Sequence, residues 1–316
     1  MDLRHLELLR ELADRGTVTA VATATYRSAS AVSQQLHTAE RAFGVPLVEP
    51  DGRGLRLTAA GRLLARGASD VASLVARLQR DLDALQGAPG GVVSVAGLPS
   101  ALEFLVPGVT ARLAGSGVEV TLTDEDVAEA EFAGRAADHD VVIAHSLSGA
   151  PAGSDRLAAR VIAREPLDVA VPRGHALAGR VSVTPAELTG ERWIGVPEGY
   201  PFDTVRIAID NRASEPLRVV QRLRDNRAVE SLVAAGQGCA LLPRFTTIPR
   251  PGVVLVPLAE VGSVRSIYAL GRPDRWERAA VGVVLDALAA AGDEVQSAYA
   301  TPAAHGRRDM DTVNAR

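Results

Sequence analysis

Between Leu64 and Leu85 the apolar residues Leu64, Ala68, Val71, Val75, Leu78, Leu82 and Leu85 alternate steps of four and three for three heptads. That is the spacing of a helix with one apolar seam along its length. Thr58 stands just before it, where a hydroxyl accepts from the free N–H groups of a first turn. A helix is therefore expected from Ala59 to about Gln86, about 42 Å long if unbroken. A seam of this length could pack against its own domain, but beside so small a domain it needs a partner surface, so these seven residues are expected to pair two copies of the chain as a homodimer.

The segment before the seam reads as three short helices and a hairpin. Leu3, Leu6, Leu9 and Ala13 recur at helical spacing, and Gly16 ends the run. Thr17 or Thr19 caps a second helix to about Thr25. Ser28 caps a third, whose inward face is Ala29, Val32, Leu36, Ala39 and Phe43, with Gly44 as its stop. Leu47 to Leu57 carries Asp51, Gly52, Arg53 and Gly54 at the tip of a two-stranded hairpin. Three helices and a basic hairpin within residues 1–58 fit a winged helix-turn-helix, though any small helical domain fits the pattern too.

After the helix of residues 59–87, Pro89 and its neighbours at 88–91 read as a linker. From Val92 onward short branched-residue strands alternate with alanine-rich helices: Val92–Ala96, Ser100–Ala114, Val118–Thr123, Val127–Ala136 and Val141–Ala144 in the first set. A second set runs from Leu167–Val171 through Cys239–Leu242 and Ser266–Ala269 to a last helix at Arg275–Ala291. This is α/β material for two small sheets with a cleft between them, over residues 92–296. Residues 297–316 lack periodicity and are expected to be disordered.

Charge sharpens this division. All 34 basic residues are arginine, against 38 acids, for a net charge of -4, which excludes a protein that coats nucleic acid through bulk charge. Residues 1–90 nevertheless hold eleven Arg against ten acids, while residues 91–300 hold twenty against twenty-six. The single Cys239 excludes an internal disulfide. The scattered histidines His5, His139, His145 and His175 show no metal-ligand spacing. The charged start and the lack of an 18-residue apolar run predict a cytoplasmic chain without a membrane span.

The order of several fragments resembles the LysR-type transcriptional regulators from Leu3 to about Leu288. Thr17-Val18-Thr19-Ala20-Val21-Ala22, then Ser28, Ala31-Val32-Ser33, Gln35-Leu36 and Glu40, look like that family's helix-turn-helix. Gly44, Leu47 and Leu57-Thr58-Ala59-Ala60-Gly61 continue it through the wing. Val171-Pro172-Arg173-Gly174-His175 and Val233-Ala234-Ala235-Gly236-Gln237-Gly238-Cys239-Ala240-Leu241-Leu242-Pro243 resemble two segments of its effector domain. The resemblance implies a periplasmic-binding-protein-like effector domain of two α/β subdomains behind an N-terminal winged helix-turn-helix, with double-stranded DNA and a small-molecule effector as partners. It implies tetramers as an alternative to the dimer, and no cofactor. The chain departs from the pattern at Thr25, Ala29, Ser30, Gln34, Ala39, Val48 and Pro50, which leaves open a ligand-responsive interaction module that has lost DNA binding.

With Val32, Leu36, Ala39 and Phe43 inward, Ser30, Ser33, Gln34, His37 and Arg41 lie on the outer side of the third helix. Gln34 has the donor and acceptor that adenine presents in the major groove, and Ser28, Ser30 and Ser33 reach base edges or phosphate near the helix start. Arg27, Arg41, Arg53 and Arg56 are assigned to phosphates.

In the α/β half, Ser100 follows a strand and opens a helix, where a hydroxyl and free N–H groups hold an anion or serve only as a cap. By resemblance the ligand role extends over Leu98, Pro99, Ser100 and Ala101. His145 and Ser146 after a strand, the Val196-Pro197-Glu198 loop, and Asn226 before a helix are expected companions around a small anionic effector. Gly236-Gln237-Gly238 is a helix-to-strand turn without the remaining glycines of a dinucleotide fingerprint. No serine has the flanking glycines of a nucleophile elbow, and no separated acid/base pair is visible, so an enzyme is not expected. A solute-binding protein fits the α/β half alone, but not the helix-turn-helix before it.

Overall fold

The computed structural model describes residues 2–52, 54–85, 87, 89–247 and 252–300. Helix α1 (Leu3–Arg15) begins with the Asp2 carboxylate accepting from the Arg4 N–H and ends at Gly16, whose φ of 77° closes the last turn. Helix α2 (Val18–Ala24) is capped by Thr17 and α3 (Ala29–Phe43) by Ser28. Strands β1 (Val48–Asp51) and β2 (Gly54–Leu57) form the wing, with Val48 opposite Leu57. Leu9, Val21, Val32, Leu36, Ala39 and Leu47 make the small core under these elements.

Helix α4 (Ala59–Ala84) has Thr58 as its cap. Its start is pressed onto the wing: a Cβ on Gly61 would lie 2.2 Å from the Leu47 carbonyl oxygen, so only glycine fits. Ala65 and Ala68 are buried beside the same core.

The α/β half opens with β3 (Gly91–Gly97), α5 (Pro99–Leu113), β4 (Val118–Asp124), the one-turn α6 (Phe132–Arg135) and β5 (Val141–Ser146). Then comes β6 (Ala158–Pro172), which is much longer than the strand expected at Leu167–Val171. The remaining elements are β7 (Arg192–Gly195), α7 (Pro201–Asp210), β8 (Arg218–Arg222), α8 (Asn226–Ala234), β9 (Cys239–Pro243), β10 (Val253–Val256), β11 (Val264–Gly271), α9 (Pro273–Trp276) and α10 (Ala279–Ala300). The sheet order is β4-β3-β5-β11-β6-β9-β7-β8, with β10 also on β6. Residues 158–166 of β6 pair with β11, whereas Leu167–Ala170 pair with β9. One strand thus belongs to both lobes, and each lobe has its own apolar core.

Three expectations need correction. The helix placed at Val127–Ala136 is only a short 3-10 turn at Glu129–Glu131, which has no side-chain cap, followed by the one-turn α6. His145 and Ser146 lie within β5, not after it, since β11 pairs with both. Ser297–Ala300, assigned to a disordered tail, continue α10; residues 301–316 lie outside the described residues. No helix among the described residues is long and apolar enough to cross a membrane.

Candidate functional site: an outward helix face and an interlobe cleft

On α3 the buried face is Val32, Leu36 and Ala39, as the apolar spacing requires. Ser30, Gln34, His37 and Arg41 are exposed and Ser33 is half-buried. The Ser28 hydroxyl accepts from the Ala31 N–H at 3.2 Å and lies 3.0 Å from the Ser30 hydroxyl, so the two serines work as one polar cap. Arg41 donates to Thr38 Oγ1 at 3.2 Å, and His37 Nδ1 sits 3.3 Å from Glu40. The other Glu40 oxygen accepts from the Leu47 N–H at 3.0 Å, tying α3 to the wing. Arg27 is held by Gln35 at 2.5 Å, and Gln35 in turn donates to the Arg4 carbonyl, so Arg27 is drawn toward α1. Arg56 pairs across the wing with Glu49 at 3.1 Å. Arg53 lies outside the described residues.

The departures from the family pattern leave this unit whole. Thr25 satisfies its hydroxyl on the Val21 carbonyl at 2.8 Å. Ala39 is completely buried despite its size.

The seam on α4 divides. Leu64 is half-buried against the chain's own helix-turn-helix core, and Ala68 is buried at the floor of a groove beside α1, so both already pack within the chain. Val71, Val75, Leu78, Leu82 and Leu85 remain exposed, along with Leu63 and Leu74. Val71 and Val75 line a groove of 910 Å³ with Leu3 and Leu6 of α1.

Between the lobes lies a cavity of 320 Å³ lined by Leu98, Pro99, Ser100, His145, Val196 and Asn226, together with Glu103, Asp126, Tyr200, Pro201, Phe202, Arg224, Asp225, Arg227 and Arg265. Of the expected residues, Ala101 and Ser146 are buried behind it, and Ser146 accepts from the Ser148 N–H at 3.2 Å. Pro197 is not in its lining, and Glu198 faces Arg222 at 3.2 Å instead.

Ser100 is not the N-cap of α5; Leu98 is, and Ser100 sits one residue inside. Its hydroxyl accepts from Arg265 at 3.0 Å. Arg265 is clamped by Glu165, Nε at 2.8 Å and an Nη at 2.5 Å on the same carboxylate oxygen, and both residues are essentially buried. Glu165 closes the set by accepting from the Phe245 N–H at 2.7 Å. Two buried charges persist because each is hydrogen-bonded and paired. His145 stands edge-on between Phe132 and Phe202, with ring centroids 5.8 and 6.1 Å away. Burial, with Arg265 adding to it, pushes its pKa down to about 3, so it is neutral.

At the mouth, Arg227 on α8 pairs with Glu103 on α5 across the cleft and with Glu230 on its own helix. Arg224 lies over the Tyr200 ring at 5.2 Å. Among the described residues it has no hydrogen-bond or ion-pair partner. These arginines escaped the sequence reading, although Arg265 in the apolar run Val264–Gly271 is the kind of buried charge that signals a site.

Cys239 is buried at the start of β9, as expected, and its thiol is pushed up to about 12, by burial first and by Glu191 second. His175, Glu191 and Cys239 converge within 4.8 Å, a grouping their sequence spacing hides. His175 Nδ1 accepts from the Leu177 N–H at 3.3 Å, so the ring proton sits on Nε2, which faces Glu191 at 3.4 Å. That serves the loop role expected of His175.

Residues 3–62 match the family of bacterial regulatory helix-turn-helix proteins of the lysR type, and residues 86–293 match the LysR substrate binding domain. The transcriptional dual regulator GltC of Bacillus subtilis is 26% identical over 285 residues, covering 88% of this chain and 93% of that protein. The Hca operon transcriptional activator HcaR of Escherichia coli is 29% identical, covering 85% of this chain and 90% of its own. Among solved structures, a full-length OxyR variant from Pseudomonas aeruginosa matches with a TM-score of 0.63 at 18% identity, covering 91% of this chain and 94% of that one. Full-length CbnR in complex with its target DNA matches with a TM-score of 0.51 at 22% identity, covering 91% and 100%. Both halves match in the family's order: the chain belongs to the LysR family of DNA-binding transcriptional regulators.

Proposed function

We propose that this regulator works as a homodimer whose hold on DNA is set by a small anion bound in the interlobe cleft. Residues 1–58 read the duplex, residues 59–87, most of them helix α4, pair two copies through Val71, Val75, Leu78, Leu82 and Leu85, residues 88–91 link, and residues 92–296 hold the effector. Ser30, Ser33, Gln34 and His37 face bases, while Ser28, Arg27, Arg41, Arg53 and Arg56 serve the phosphates.

The observation that carries the anion is Arg224. Arg265 is neutralised by Glu165 and Arg227 by Glu103 and Glu230, but among the described residues Arg224 has no hydrogen-bond or ion-pair partner, only the Tyr200 ring beneath it and the more distant charge of Asp126 in the same cleft. An anion between Arg224, Asn226 and the start of α5 at Ser100 would complete that charge. It would also compete with Glu103 for Arg227, whose pairing now bridges the lobes. The ligand alters DNA binding only through its preference for one lobe arrangement.

The test is calorimetric titration with a small carboxylate or phosphate found by thermal-shift screening. Arg224→Gln should weaken it about tenfold or more with folding unchanged, the scale of one charge-assisted contact. Ser100→Ala should weaken it less. Equal affinity in wild type and Arg224→Gln would remove the anion from this cleft.

A further inference from the structure

Tyr26 stands between α2 and α3 with φ of 54°, in the left-handed region. The surrounding hydrogen bonds explain the backbone: the Arg27 N–H reaches the Ala22 carbonyl at 2.9 Å and the Tyr26 N–H reaches the Thr23 carbonyl at 3.3 Å. This is the paired closure of a helix end whose left-handed position favours glycine. The chain does place glycine at the ends of the flanking helices, Gly16 after α1 and Gly44 after α3. Only after α2 does it put a bulky aromatic residue there, where the Cβ meets the following carbonyl.

Nothing in the fold asks for that ring. Tyr26 is 98% exposed, so it adds nothing to the core. A strained, exposed side chain next to a binding helix is the kind of outlier from which a function is inferred. Its place is the turn leading to Ser28, the cap of the recognition helix. When such a helix enters the major groove by its N-terminal end, the turn before it runs along the groove edge, where phosphates line the way. A phenol is among the groups that donate to phosphate oxygens.

We propose that Tyr26 is a DNA-backbone contact, its hydroxyl donating to a phosphate oxygen beside the groove that α3 enters. The contact positions the helix and carries no sequence information. It adds a neutral donor, so it releases no counterion.

The test uses the full-length protein with three variants on two probes, a mixed-sequence duplex at low salt and the DNA upstream of its own gene. Tyr26→Gly relieves the backbone strain, and its unfolding midpoint should equal or exceed that of wild type. Its affinity for both duplexes should nevertheless fall by the same factor, about tenfold, the scale of one hydrogen bond to a charged acceptor. Tyr26→Phe should lose most of that factor while its salt dependence stays that of wild type. Phosphate-ethylation interference should show one phosphate that matters for wild type and no longer matters for Tyr26→Phe. Arg41→Ala, the control, should lower the salt dependence instead. Wild-type affinity in Tyr26→Phe would overturn the proposal. So would a Tyr26→Gly protein that loses affinity and thermal stability together, or an unchanged interference pattern; a Tyr26 needed for transcription but not for DNA affinity would assign the ring to a protein partner.

Discussion

Arg272, at the end of β11, donates to Glu11 on α1 at 3.0 Å, joining the sensory half of the chain to the first helix of the DNA-binding half. Asp14 lies 3.6 Å from the same guanidinium, and Arg10 returns the contact by donating to Asp274 at 3.1 Å. Arg15 and Arg156 add bonds to backbone carbonyls across the same boundary, at Ala137 and Ala13. Helix α1 in turn shares the small core with α3.

Arg272→Ala should therefore lower stability by about 1–3 kcal/mol, since it leaves partly buried carboxylates without their partner. Arg272→Lys should recover little, because one ammonium cannot serve Glu11 and Asp274 at once. Denaturant unfolding of Arg272→Ala, Glu11→Gln and the double variant, taken as a double-mutant cycle, measures the coupling; additive effects would remove it.

His145 makes stability depend on pH. Its pKa falls from the ordinary 6.5 to about 3 on folding, through burial and then the nearby Arg265. Below 6.5 the unfolded chain takes up a proton that the folded chain refuses. Stability from this group is thus whole above 6.5 and is lost as pH falls toward 3, by about 2 kcal/mol at pH 5. Unfolding at pH 7 and pH 5 should show a smaller loss in His145→Phe than in wild type; equal losses would contradict the assignment.

On α3, Gln34→Ala should relax preference at one or two base pairs, with a loss of about 1–3 kcal/mol on the best sequence only. Arg41→Ala should weaken all sequences alike and lower the salt dependence by about one phosphate's worth. Competition gel shifts across a salt series separate the two, and identical behaviour would refute the division between bases and phosphates.

Leu78 is 62% exposed in the single chain. Leu78→Asp should therefore leave the fold intact but place an unpaired charge in the seam between two copies. Sedimentation should show monomers, and an unchanged dimer would move the interface elsewhere.

The helix caps at Thr17, Ser28 and Thr58 and most of the inward faces of α1 and α3 could be read from the sequence because their signals are local, a hydroxyl before a 3.6-residue period; Leu3 and Ala29, in the first turns of those helices, are exposed instead. Part of the cleft's lining was legible at strand ends and helix starts: Leu98, Pro99, Ser100, His145, Val196 and Asn226. Arg224, Arg227 and Arg265 come together there through strand pairing and helix packing across the lobes, which no spacing records. The same limit explains Ala68, whose heptad position suits a partner helix as well as the α1 residues Leu3 and Leu6 that share its groove. It also explains β6, whose polar residues Arg160, Arg164 and Glu165 interrupt the apolar run of a single strand.

The central claim is that one molecule joins a DNA-reading pair of helices to an anion-binding cleft. Footprinting on the DNA upstream of its own gene and its neighbours, with and without the anion identified by titration, tests it most directly. Two protected half-sites are expected, related by a dyad and separated by about 10 base pairs or a multiple of that, with an affinity or pattern that the anion changes in wild type but not in Arg224→Gln. Protection no different from that on unrelated DNA, or a response to the anion that persists in Arg224→Gln, would contradict it.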